Sequence, residues 1–132
     1  MASAEKILIV DDDKFLLDMY ALKFTEGGFA VETALSGADA LSRLDGGFAP
    51  AIYLIDIIMP GMDGFKLIET LKSRGKVDAS TVIILSNLGS KEDIEKGLGL
   101  GVDGYIVKAS ATPSELVTKV IEIAKQRKPK NE

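Results

Sequence analysis

In Lys6-Ile7-Leu8-Ile9-Val10-Asp11-Asp12-Asp13 an unbroken apolar run ends abruptly on three consecutive aspartates. Short, β-branched and without polar alternation, such a run describes a strand buried on both faces, the habit of a parallel sheet. The pattern recurs at Ile52-Tyr53-Leu54-Ile55 and Val82-Ile83-Ile84-Leu85, and more weakly from Phe29 to Thr33 and at Tyr105-Ile106-Val107. Helical stretches separate these runs. Leu116, Val117, Val120, Ile121 and Ala124 form one apolar stripe behind Thr112-Pro113-Ser114-Glu115, a capping box with proline at the first helical position. Leu16, Met19, Tyr20 and Phe24 mark a first helix, its apolar face widened by Leu17 and Leu22. Ala40, Leu41 and Leu44 mark a second, opened by Ser36 with Asp39 three residues on. Leu67, Ile68 and Leu71 mark a third; Ile94 and Leu98, after Ser90 and Asp93, mark a fourth. Five strands alternating with five helices give an α/β fold, (βα)5, with a doubly wound parallel sheet and helices on both faces.

The 132 residues, 46% hydrophobic and 27% charged, suit one domain with no repeat or internal linker. Its core is expected over about 5–126, with a basic tail at 127–132. Lys125 to Glu132 is expected to fray, its cations complementing the end of the last helix. Cysteine and histidine are absent, which excludes disulfides, cysteine-based zinc sites, thiol or histidine nucleophiles and a phosphohistidine on this chain. Lys+Arg 16 against Asp+Glu 20 leaves a net charge of −4, which speaks against direct nucleic-acid binding through phosphate contacts. No apolar run approaches the roughly 20 residues of a membrane span, and Met1-Ala2-Ser3-Ala4-Glu5 lacks a signal-peptide pattern. A cytoplasmic protein without membrane insertion is expected.

The polar residues that interrupt the apolar runs are not scattered. Asp11, Asp12 and Asp13 follow the first strand, Asp56 the third, Ser86 ends the fourth and Lys108 follows the fifth. In an open parallel sheet all strand C-termini share one edge, and ligands bind there where the strand order reverses. The second strand ends in Ala34-Leu35 and contributes nothing, which fits strand order 2-1-3-4-5, the flavodoxin-like arrangement, with that strand outermost. Two carboxylates about 4 Å apart repel by about 4 kcal/mol at an effective dielectric of 20, so the gathered acids must hold a cation or a proton. Hard oxygen donors without His or Cys point to Mg2+, or Mn2+. Beside a lysine, such a metal site suits a phosphoryl group, with Asp56 as the carboxylate nucleophile. Asp13 reads as a helix cap.

At these residues the sequence resembles the receiver domain of two-component response regulators, most of all the single-domain regulators of the chemotaxis type. The resemblance covers essentially the whole chain. It rests on Ile9-Val10-Asp11-Asp12-Asp13, on Asp56-x-x-Met59-Pro60-x-Met62-Asp63-Gly64, on Ser86, and on Gly101-x-x-Gly104-Tyr105-x-x-Lys108. Pro60 is expected to fix the loop after the nucleophile and Gly64 to let the chain turn tightly into the third helix. The resemblance implies that Asp56 is the phosphoacceptor. It implies Mg2+ ligation by Asp12, Asp56 and the backbone carbonyl of Ile58, with Asp11 acting largely through a metal-bound water. It further implies that Lys108 pairs with the phosphoryl group, that Ser86 hydrogen-bonds it, and that Tyr105 is the aromatic whose rotamer follows Ser86. The implied donor is a phosphohistidine on a sensor histidine kinase or histidine phosphotransfer protein, or a small acyl phosphate. Output to a downstream protein would run through the fourth helix, fifth strand and fifth helix. The chain would be no enzyme beyond its own phosphoryl transfer and autodephosphorylation.

The pattern is departed from at four positions. Ala109 stands where the family usually has proline, removing the main support for a cis bond after the lysine. Asn87 replaces a small residue, and Ile58 and Leu88 are apolar beside the path of attacking water. The fourth helix contains Gly97 and Gly99, expected to make it the mobile element or to permit close packing on the sheet. Two other functions fit parts of the pattern: a Mg2+ phosphohydrolase using Asp11 and Asp13, and a phosphorylation-independent adaptor of the same fold.

Overall fold

The computed structural model describes residues 4–127. The chain alternates β1 (Lys6–Val10), α1 (Lys14–Glu26), β2 (Ala30–Ala34), α2 (Gly37–Asp45), β3 (Ile52–Ile55), α3 (Gly64–Ser73), β4 (Thr81–Ser86), α4 (Lys91–Gly99), β5 (Gly104–Val107) and α5 (Pro113–Gln126). The strands pair in the order β2-β1-β3-β4-β5, every neighbour parallel. This is the flavodoxin-like arrangement read from the sequence. No peptide bond among the described residues is cis, and Lys108–Ser110 forms a short 3-10 turn after β5.

Alternate residues of each strand feed opposite sides of the sheet, and both sides are covered. Leu8, Val10, Tyr53, Ile55, Val82 and Ile84 pack with Ala40, Leu44, Leu67, Ile68 and Leu71 of α2 and α3. Ile7, Ile9, Ile52, Leu54, Ile83 and Leu85 pack with Leu17, Tyr20 and Phe24 of α1 and with Leu116 and Val120 of α5. β3 and β4 are buried throughout, whereas β2, at the edge, is half-buried along most of its length.

Two expectations change. The face of α1 against the sheet is Leu17, Tyr20 and Phe24, while Met19 and Leu22 are exposed and Phe15 is 90% exposed. The helix carries two apolar stripes, and periodicity alone does not tell which one meets the sheet. The end of α5 does not fray as far as Arg127. That guanidinium donates to the Asp78 carbonyl (2.7 Å), and its Nε lies 3.9 Å from Asp103 Oδ2. Lys128 to Glu132 fall outside the described residues. The caps form as read: Asp13, Ser36, Ser90 and Thr112 each accept from a backbone N–H of the following first turn.

Candidate functional site

The strand ends at one edge of the sheet bring the acidic residues together. The Asp11 N–H donates to Ala34 O (3.1 Å), so β2, which supplies no side chain, anchors the backbone of this carboxylate. The Asp56 N–H donates to Val10 O (2.9 Å), setting Asp56 beside Asp11 across the β1–β3 pair. Asp11 and Asp56 are 1% and 6% exposed, and Asp12 between the strand and α1 is open to solvent. Each buried carboxylate uses one oxygen locally. Asp11 Oδ1 accepts from Asp13 N (2.9 Å) and Asp56 Oδ1 from Ile57 N (2.8 Å). Both remaining oxygens face Lys108, whose Nζ lies 2.8 Å from Asp11 Oδ2 and 3.2 Å from Asp56 Oδ2.

Burial and charge oppose one another here. Burial pushes the Asp56 carboxyl up and the Asp11 charge adds to this; the Lys108 ammonium pulls it down without cancelling the rise. Burial alone would lower the Lys108 pKa, but the Asp11 hydrogen bond and the charges of both carboxylates hold it above its ordinary value. One lysine facing two buried carboxylates, with Asp12 alongside, leaves an excess of negative charge. Asp11, Asp12 and Asp56 each offer an oxygen within 4.8 Å of the others, an all-oxygen set suited to a hard divalent cation such as Mg2+.

Gly64 has a different part from the one expected. Its φ is not positive; Gly61, at φ +77°, makes the tight turn. The Gly64 N–H donates to Ile57 O (2.8 Å), and a Cβ there would sit 2.2 Å from the Asp56 carbonyl oxygen. Glycine is required so that α3 starts directly against the backbone of Asp56.

The other expected residues line the same edge. Ser86 is fully buried, and its Oγ accepts from Leu88 N (3.2 Å). The Leu88 carbonyl accepts from the Tyr105 hydroxyl. Burial raises the Tyr105 pKa, and the charge of Asp93 at the start of α4 adds to it. Ile58 is 59% exposed beside Asp56, and Asn87 and Ala109 are exposed. Asp13 stays out of the cluster: its Oδ1 accepts from Leu16 N (3.2 Å) and caps α1. Sequence reasoning missed Tyr20. It was placed only in the core of α1, yet its buried phenol, held neutral first by desolvation, also senses the charges of Lys108, Asp11 and Asp56. Its hydroxyl, on an otherwise apolar face, was the available signal.

Residues 7–121 match the response regulator receiver domain family. Among curated proteins, the chain is 32% identical over 124 residues to the phosphate regulon transcriptional regulatory protein PhoB of Rhizobium meliloti, covering 94% of this chain and 54% of that protein. It is 38% identical over 104 residues to the Regulator of RpoS of Escherichia coli, covering 79% of this chain and 30% of that protein. The chain therefore spans between about a third and about half the length of these relatives. Among solved structures, it superposes on the receiver domain of the Francisella response regulator 1452 with a TM-score of 0.81 and 34% identity, over 94% of this chain and 99% of the other. A CheY-like receiver from Methanospirillum hungatei gives 0.82 and 31%, over 94% and 96%. No helix among the described residues is long and apolar enough to cross a membrane. With the strand order, the acidic edge and the Lys108 contacts in agreement with these matches, the chain belongs to the response regulator receiver domain family.

Proposed function

We propose that the chain is a phosphorylation-switched signalling receiver whose phosphoacceptor is Asp56. The observation that carries this reading is a carboxylate 6% exposed, held between Lys108 and two further aspartates at the C-terminal edge of a parallel sheet. In the step envisaged, an Asp56 oxygen attacks phosphorus. The bond from phosphorus to the donor breaks, and its electron pair leaves on the imidazole nitrogen of a phosphohistidine or on the carboxylate of an acyl phosphate. Lys108, already 3.2 Å from Asp56 Oδ2, neutralises a phosphoryl oxygen. Ser86 Oγ accepts from Leu88 N and its hydroxyl also meets the Tyr105 side chain; on phosphorylation that hydroxyl would turn to donate to another phosphoryl oxygen. A divalent cation held by Asp11, Asp12, Asp56 and the Ile58 carbonyl would supply charge neutralisation of the phosphoryl oxygens.

Tyr105 and the face of α4, β5 and α5 then carry the change to a downstream protein. The donor is a sensor histidine kinase or a histidine phosphotransfer protein, with small acyl phosphates as a second source. Support for a protein donor comes from the rim of the site: Phe15, Met19 and Leu22 run along α1 from its mouth, and Ile58 is exposed on the other side. The setting is cytoplasmic, without direct nucleic-acid contact, and the catalysis extends no further than the chain's own phosphoryl transfer and autodephosphorylation. The phosphohydrolase reading is disfavoured because Asp13, the second member of its pair, caps α1. The adaptor reading leaves the acidic, hydroxyl and lysine set without a purpose.

Incubation with acetyl phosphate and Mg2+, followed by intact mass, tests all three. One added phosphoryl group, absent in Asp56→Asn and weakened in Asp12→Asn through metal affinity, supports the receiver. Labelling of Asp56→Asn at another aspartate overturns the assignment of the acceptor, and an unlabelled wild type supports the adaptor. Phosphate release that persists in Asp56→Asn supports the hydrolase.

A further inference from the structure

The two glycines of α4, Gly97 within the last turn and Gly99 at its end, have unlike surroundings. A methyl group at Gly99 would meet nothing within 4 Å. At Gly97 it would lie 2.7 Å from Ile84 Cδ1, 3.0 Å from Tyr105 Cδ2 and 3.3 Å from Tyr105 Cε2. Gly97 is also the buried residue of α4, whose other positions are half-buried or exposed. Glycine is a poor residue for a helix interior, so a buried one in contact with a ring has a packing reason to be there. The terminal methyl of Ile84 can swing aside by itself, whereas the rigid Tyr105 ring gives way only by moving as a whole.

From that ring, contacts lead to the site. The Tyr105 hydroxyl donates to the Leu88 carbonyl, Leu88 N donates to Ser86 Oγ (3.2 Å), and Ser86 ends the strand next to the one that Asp56 follows. We propose that Gly97 is a positioning residue for phosphoryl transfer: its bare backbone leaves a notch in α4 that seats Tyr105, and the seated ring holds Leu88 and, through it, the Ser86 hydroxyl. This rests on the reading of Asp56 as phosphoacceptor. A side chain at 97 displaces the ring or lifts α4, and either change loosens the segment Ser86 to Leu88 and misplaces the donor to the phosphoryl group.

The test compares wild type, Gly99→Ala, Gly97→Ala, Tyr105→Ala and the double variant Gly97→Ala/Tyr105→Ala. The readouts are the rate of phosphoryl uptake from acetyl phosphate with Mg2+, thermal stability, and NMR signals of the Tyr105 ring and the Ser86 and Leu88 amides. Gly99→Ala is expected to raise stability with uptake unchanged. Gly97→Ala is expected to slow uptake several-fold and move the Tyr105, Ser86 and Leu88 signals. In the Tyr105→Ala background, Gly97→Ala is expected to change the rate no further. The proposal is overturned if Gly97→Ala takes up phosphoryl at the wild-type rate with the ring signals unmoved, or slows uptake equally in the absence of the tyrosine ring. A wild type that takes up no phosphoryl group defeats the acceptor reading and the transfer role with it; the NMR signals then decide the seating on their own.

Discussion

Replacing Lys108 by methionine removes one charge and little volume, and the structure sets the size of the effect. Lys108 Nζ faces Asp11 Oδ2 at 2.8 Å and Asp56 Oδ2 at 3.2 Å, and the side chain is 10% exposed. At an effective dielectric of about 20, unit charges about 3 Å apart attract by about 5 kcal/mol, much of which is offset by desolvation of the ammonium. Deleting the lysine alone leaves two buried carboxylates facing one another, and breaking a buried pair in this way costs about 3–5 kcal/mol. For a chain of 132 residues the lower figure corresponds to about 10 °C in Tm. The loss has a definite pH dependence. A carboxyl whose folded pKa is raised above its ordinary 3.8, as that of Asp56 is, favours folding below that value and disfavours it as pH rises through the folded pKa. Without Lys108, the main influence lowering that pKa is gone, so the penalty of Lys108→Met is greatest at neutral pH and shrinks on acidification. Urea unfolding of both proteins in chelating buffer, at neutral and mildly acidic pH, measures this. Added Mg2+ is expected to recover part of the loss by neutralising the same carboxylates. Equal stability of variant and wild type at neutral pH in chelator, or a gap independent of pH, refutes the electrostatic account.

Three more outcomes follow from other parts of the fold. Ile58→Asn with Leu88→Glu is expected to speed dephosphorylation, because neither native side chain can orient an attacking water; an unchanged decay rate removes them from control of that water. Hydrogen exchange is expected to find α4 less protected than α5, since α4 buries no large apolar side chain; equal protection of the two helices in the unphosphorylated protein contradicts this. Tyr53, buried with its hydroxyl donating to Lys76 O (3.1 Å), has its pKa pushed up to about 12 from 10.0. The stability this phenol contributes is complete below pH 10 and falls as pH rises toward 12, by about 3 kcal/mol in all. Tyr53→Phe is therefore expected to be slightly less stable at neutral pH and to lose less between pH 10 and 12 in alkaline unfolding.

The residues that could be read from sequence are those whose signal is local. An apolar run that stops on a polar residue announces both a buried strand and its C-terminal end, so the gathering of Asp11, Asp56, Ser86 and Lys108 at one sheet edge was legible from one rule about parallel sheets. The caps at Asp13, Ser36, Ser90 and Thr112 were equally local, being side chains that reach an N–H within their own turn. The face of α1 was not, because Leu16, Met19 and Leu22 compete with Leu17, Tyr20 and Phe24 on apolarity, and the sheet chooses between them. Gly64 was read by its torsional freedom when its need is for space beside the Asp56 carbonyl, a contact made by residues distant in the helical pattern. The same limit hid the pairing of Gly97 with Tyr105.

The helices divide by what holds them, and that division bears on which of them can transmit a signal. α1 buries Leu17, Tyr20 and Phe24, and α5 buries Leu116 and Val120. Each large apolar side chain so buried contributes about 1.5–3 kcal/mol, which makes displacement of either helix expensive. α4 has instead the notch at Gly97, a half-buried Ile94, and two lysine contacts to α3: Lys96 Nζ stands 4.5 Å over the Phe65 ring, and Lys72 Nζ donates to the Leu100 carbonyl at 2.7 Å. Exposed contacts of this kind are worth about 0.5–1 kcal/mol each. On these figures a rearrangement of Ser86 and Tyr105 needs to supply less to shift such a helix than to shift α1 or α5. On the proposed reading of Asp56, the position of α4, beside β5 and at the end of the contacts that start from Ser86, makes this weakly anchored helix the one that a change at the acidic edge would shift.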